Sequence, residues 1–225
     1  MVKFGTSRRL KRNDIYTYLM EIFIVIFGIT AAYQLNVYYE DQKDLKLEEA
    51  AIERLADENS NNKDVFESLI GSRKKLEEDT RQLARFLFAG ENLEVDSISH
   101  YLFDINRTHK PITQMEALNF YLNSNYTNKN SDLKSELIKI KAYYLELRDV
   151  VDYYVRMKEK YYSDFLVSDV DFGEEKIISL DKIQSVEFKN LVVNLLSNEL
   201  ELNSLFDRVY GQSLILEEII EEKLD

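Results

Sequence analysis

Residues 15–37, IYTYLMEIFIVIFGITAAYQLNV, are the one segment of this 225-residue chain apolar enough to leave water. As an α-helix at 1.5 Å per residue they span about 35 Å, against a hydrocarbon core of about 30 Å, so the segment reads as a single membrane crossing. Its flanks are unequal. Lys3, Arg8, Arg9, Lys11 and Arg12 precede it with Asp14 as the sole anion, and Glu40 and Asp41 follow. That imbalance predicts a cytoplasmic basic leader, residues 1–14, and an exported remainder, residues 38–225. The rival reading is a cleaved signal peptide, with residues 22–29 as its apolar region and Thr30, Ala31 and Ala32 at the cleavage site. The long charged leader favours a retained anchor. So do the tyrosines at both ends, Tyr16 and Tyr18 against Tyr33, Tyr38 and Tyr39, placed as an interfacial belt would be.

Outward from the anchor, residues 40–225 carry 24 Lys and Arg against 39 Asp and Glu, a net charge of −15. Phosphate backbones and anionic lipid heads repel such a domain, which argues against nucleic-acid binding. Cysteine is absent, so there is neither a disulfide framework nor a thiol nucleophile. One proline and six glycines leave few helix breaks. The predicted fold is all-α: one N-terminal transmembrane helix, then a long stalk helix and an antiparallel helical bundle.

Within the anchor, Glu21, Gly28, Ala32 and Tyr39 fall within about 20° of one line on a helical wheel, with Val25, Leu35 and Asn36 beside it. A stripe holding a carboxylate, an amide and a small-xxx-small pair suits packing against another membrane helix, and Glu21, Gly28, Ala32 and Asn36 are its candidate contact residues. The alternative for Glu21 is interfacial. It lies about 9 Å inside Ile15, close enough to snorkel toward the headgroups.

The run Glu21-Ile22, Gly28-Ile29, Ala32 and Gln34-Leu35-Asn36, followed by a charged helix, resembles a Bacteroidota family of small single-pass membrane proteins catalogued as a domain of unknown function. Members usually place a tryptophan and an asparagine after this motif, where this chain has Val37 and Tyr38. The resemblance is strongest over residues 14–60 and looser through the turn near Asn125 and the closing Leu-rich helix. It implies a bacterial inner-membrane location with a helical periplasmic domain, and carries no activity.

Between residues 39 and 89 no proline occurs, and apolar residues recur at Leu55, Leu69, Leu76 and Leu83 and at Ile52, Phe66 and Leu87. The pattern predicts one long helix, with its continuity through the anchor left open. Asn59, Asn62, Arg73 and Thr80 interrupt that seam; residues 57–64 and Gly71 are the expected bends, and Gly90 suits a C-terminal stop. A short helix is expected at 97–105 behind an Asp96 cap. The loop NRTHKP then reaches Pro111, and Thr113 with Glu116 form a capping box opening a helix through Leu122. After a polar turn at 123–130, Leu133, Leu137, Ile140, Tyr144, Leu147, Val151, Tyr154, Tyr161 and Phe165 mark a helix of some 30 residues whose seam only Lys158 breaks. Residues 166–185 carry most of the remaining loop. A last helix spans about 186–223, with Leu191, Leu195, Leu202, Leu205, Val209, Leu216 and Ile219 on its face.

His100 and His109 are the only histidines, and a zinc or general-base site would need further ligands around them; they read as a helix-surface and a loop residue. Asp169, Asp171, Gly173 and Glu175 imitate the front of a calcium loop, but its closing glutamate falls on Leu180, leaving an acidic turn. No catalytic residue, cofactor or metal site is expected. Each doublet Tyr143-Tyr144, Tyr153-Tyr154 and Tyr161-Tyr162 sets one tyrosine on the seam and one beside it. These are either core plus rim, or a surface of Tyr143, Tyr153 and Tyr162 for a partner. The sequence therefore predicts a non-enzymatic membrane protein acting as a scaffold or accessory subunit, its partner a membrane or periplasmic protein or a second copy. The alternative is a periplasmic sensor whose ligand pocket is lined by Asn59, Asn62, Arg73 and Lys158.

Overall fold

The computed structural model describes residues 12–89, 95–124, 130–171, 173–174 and 176–224. The basic leader through Lys11, Gly90, Asn125 and Glu175 lie outside the described residues, as does the side chain of Asp96. The fold is all-α, with one two-stranded hairpin among the described residues. Helix α1 runs unbroken over Arg12–Ala89, through the expected bends at 57–64 and Gly71. The chain divides into two compact units, Met1–Ala50 and Ala51–Asp225.

In the first unit every large apolar side chain from Ile15 to Tyr39 except the partly covered Val37 is about half exposed or more, and none of its apolar window is buried. This stretch is long and apolar enough to cross a membrane. Thr30 Oγ1 donates to Ile26 O at 2.8 Å, so the hydroxyl in the middle of that stretch is satisfied within the helix.

The second unit holds the rest of α1, then α2 (Val95–Ile105), α3 (Glu116–Asn123), α4 (Ser131–Met157), a π-helical turn (Lys158–Tyr162), α5 (Ser163–Asp169), strands β1 (Val170–Asp171) and β2 (Lys176–Ile177), α6 (Leu180–Ile183) and α7 (Val186–Leu224). Cross-links fix the directions. On α1, Lys75 meets Asp104, Asn62 meets Gln114, and Glu58 meets Ala117, so the segment 95–123 descends along α1. Asn59 bonds Ser213 O and Arg73 pairs with Glu199, so α7 also descends; Gln212 reaches Glu136 and Tyr154 reaches Glu199, so α4 ascends. The result is a four-membered antiparallel bundle. At its centre the Phe66 ring stacks on Tyr144 at 6.1 Å and meets Phe206 edge-on at 5.4 Å.

The second member of this bundle is broken. Between α2 and α3, residues 106–115 are not helical, and Pro111, which cannot donate an amide proton, lies within them. The expected capping box does not form: α3 starts at Glu116, two residues late, with no side-chain bond from its cap residue Met115. Glu58 of α1 does that work, its carboxylate accepting the N–H groups of Ala117 at 2.8 Å and Leu118 at 3.0 Å. A full negative charge from a neighbouring helix outcompetes a local threonine at the positive end of α3. Helix α2 starts at Val95, so Asp96 sits inside it rather than ahead of it.

The expected loop from 166 is shorter than its sequence suggests. Helix α5 continues to Asp169, and β1 pairs with β2, Val170 opposite Ile177 and Asp171 opposite Lys176. Asp171 Oδ1 accepts the Gly173 and Glu174 N–H groups at 2.9 and 3.2 Å, so the resemblance to a calcium loop resolves as a hairpin turn closed by its own aspartate.

Candidate functional site

The four residues of the expected membrane-helix stripe lie on a stretch of α1 that is exposed along most of its length. Glu21, Gly28, Ala32 and Asn36 are all exposed, and a Cβ built on Gly28 meets nothing within 4 Å, so that face is open to close approach. Asn36 Nδ2 donates to Glu40 Oε1 at 3.0 Å.

The three tyrosines of the expected partner surface are not brought together. Tyr153 is exposed, and half-buried Tyr143 lies beneath Arg208, whose guanidinium carbon is 5.7 Å from the ring. Tyr162 is a correction: it is fully buried, donates to Leu102 O at 2.6 Å, and leaves Tyr161 exposed in its place. The cause is the π-turn, in which Ser163 N–H bonds Lys158 O five residues back, so one extra residue slips the seam from Tyr161 and Phe165 onto Tyr162 and Leu166.

On its inner side this turn completes the broken bundle member. Lys158 is 3% exposed and its Nζ donates to Ile105 O at 2.6 Å and Arg107 O at 2.7 Å. With Tyr162 on Leu102 O, and the Asn106 and Arg107 N–H groups on Phe103 O and Asp104 O, all four closing carbonyls of α2 find donors. A cation there also faces the negative end of the helix. Lys158 Nζ lies 4.4 Å from the Tyr154 ring centroid. Burial pushes its pKa down to about 7, against the pull of Glu199 in the opposite direction.

Asn62 performs the matching task lower down. Its Oδ1 accepts Gln114 N–H at 2.8 Å, and its Nδ2 donates to Gln114 O at 2.9 Å and to Tyr144 Oη at 3.3 Å. Burial raises the Tyr144 hydroxyl to about 12, so it stays a neutral partner at physiological pH. Arg73 forms a fully buried ion pair with Glu199, which also accepts from Tyr154, and Asn203 takes Arg73 Nε–H at 3.2 Å. The pocket expected between Asn59, Asn62, Arg73 and Lys158 is therefore filled by the chain itself. Each of these seam-breaking residues bonds a buried protein group. His100 is exposed on α2, 3.4 Å from Asp104, and His109 is a half-buried loop residue whose pKa partial burial and Arg73 lower.

On its outer side the π-turn forms one wall of an open groove of about 830 Å³. Tyr153, Tyr161, Asp164 and Phe165 line that wall, and Asp181, Glu187, Phe188 and Leu191 of α6 and α7 line the other. Phe165 and Phe188 form its floor, with ring centroids 4.4 Å apart. The Ser185 hydroxyl accepts Phe188 N–H at 3.1 Å and so opens α7 at the groove's edge. Lys182 is held by buried Asp169 at 2.7 Å. Sequence reasoning missed this groove, because the residues that make it are spread over the end of α4, the π-turn, α5, α6 and the start of α7, and depend on one register slip. The visible sign was a lysine on an otherwise apolar seam. No protein-family model, curated protein or solved structure matches this chain.

Proposed function

We propose that this chain is a non-enzymatic single-pass membrane protein, its N-terminus cytoplasmic and its helical domain on the far side, serving as an accessory subunit of a membrane assembly. The observation that carries the reading is the first 39 residues of α1 as described, Arg12–Ala50, in which an apolar stretch of crossing length stands uncovered with Glu21, Gly28, Ala32 and Asn36 along one open face. The basic leader supports the orientation. The resemblance of residues 14–60 to the Bacteroidota family supports a bacterial inner membrane and a periplasmic bundle.

The test is a pull-down of full-length protein, with crosslinking, from gently solubilised native membranes, beside a Glu21→Leu, Gly28→Leu double variant that still inserts. The expected result is a defined partner, or a second copy, that the variant loses. A lone monomer in both preparations would sink the proposal.

A sensor remains the second reading, favoured by the aromatic groove rather than by the bundle's interior.

A further inference from the structure

The groove beside the π-turn has a distinctive chemistry. Its volume, about 830 Å³, falls in the range of small-molecule sites. Aromatic rings come from both walls: Tyr153 and Tyr161 stand about half exposed, over a floor of Phe165 and Phe188. The exposed carboxylates Asp164, Asp181 and Glu187 ring the opening, and among the described residues no cation pairs with any of them. The one lining cation, Lys182, is already neutralised by Asp169. The Tyr161 ring accepts an ammonium, since Lys160 Nζ sits 4.9 Å from its centroid.

Tyr161 is about half exposed and lies outside the buried core. A plain α-helix would carry it on the apolar seam; the π-turn turns it out into the groove, and such turns recur at functional sites. We propose that the groove between α4, α5, α6 and α7 binds a small organic cation, an amine carried on an aromatic or alkyl body, held by ring faces below and carboxylates at the rim. Negative walls of low polarity concentrate cations and exclude anions of the same shape. The assignment is independent of what the anchor contacts, so either can fail without the other.

The chain has no tryptophan, so an indole ligand can be followed without protein background. Full-length protein in neutral maltoside micelles is titrated with tryptamine, and with indole-3-propionate as the anion of similar shape, reading indole anisotropy against protein-free micelles. Tryptamine should bind at least tenfold more tightly than the anion and weaken as salt rises. An Asp164→Asn, Glu187→Gln variant should lose about tenfold for tryptamine and with it the preference for the cation, and Tyr161→Leu should lose several-fold, both with unchanged circular dichroism. Equal binding of the two indoles, no saturable binding of tryptamine, or indifference to both variants would overturn the proposal. So would a basic helical peptide that binds where tryptamine does not, which would make the groove a protein-docking surface.

Discussion

Asn62 and Lys158 look like faults in an apolar seam and Glu58 is a buried charge near it, yet each closes a backbone group at the break between α2 and α3. Their polarity is explained by a segment far away in sequence, and a reading by periodicity cannot supply that partner. Lys158 carries a pH signature. Its folded pKa is pushed down to about 7 from the ordinary 10.5, so at neutral pH and above the unfolded chain binds a proton that the folded chain does not. Stability contributed by this group therefore rises between pH 7 and about 10.5, by at most about 1.4 kcal/mol per pH unit. Urea denaturation of Lys158→Met alongside the parent at pH 6.5, 8 and 9.5 should show the parent gaining relative to the variant as pH rises. Parallel curves would mean that the bonds to Ile105 O and Arg107 O keep the ammonium charged throughout.

The π-turn sets the register of everything from Tyr161 to Leu166. The sequence conceals it because the doublets Tyr161-Tyr162 and Phe165-Leu166 offer an apolar residue in either register, so a one-residue slip leaves the pattern intact. Removing exposed Lys160 should restore plain α-helix while keeping Tyr162 and Leu166 on the seam. The shortened protein should melt cooperatively within about 3 °C of the parent by circular dichroism, a change of about 1 kcal/mol or less. Deleting Arg148 from the regular part of α4 should rotate everything beyond it by about 100° and collapse the transition. Equal damage from both deletions would refute the idea that the turn holds one surplus residue. Where no tertiary partner intervenes, the pattern reads well: α7 spans Val186–Leu224 against an expected 186–223. At α3 the local capping box was legible and misleading, since a carboxylate on α1 competes for the same amides.

At the scale of the molecule, the core cluster lies wholly within Ala51–Asp225, which carries its own four-membered bundle. A fragment of residues 51–225 should therefore be soluble without detergent and unfold in one cooperative step, as followed by circular dichroism and size-exclusion chromatography. Aggregation or a non-cooperative melt would show that the bundle depends on the preceding helix. The acidic balance, the all-α class and the long apolar stretch of α1 were all legible from composition, because each depends on sums over many residues. The groove was not, because it depends on which few residues meet.

The carboxylate of Glu58 has a consequence in time as well as in space. Helix α3 has eight residues, too few to persist alone in water, and its first turn is closed from a point almost sixty positions earlier in the chain. It cannot act as an early nucleus. Its formation waits for α1 to be in place and for the intervening segment to fold back, so α1 and α3 enter the native state together. A nascent chain that has emerged as far as Asn123 already possesses both halves of that handshake.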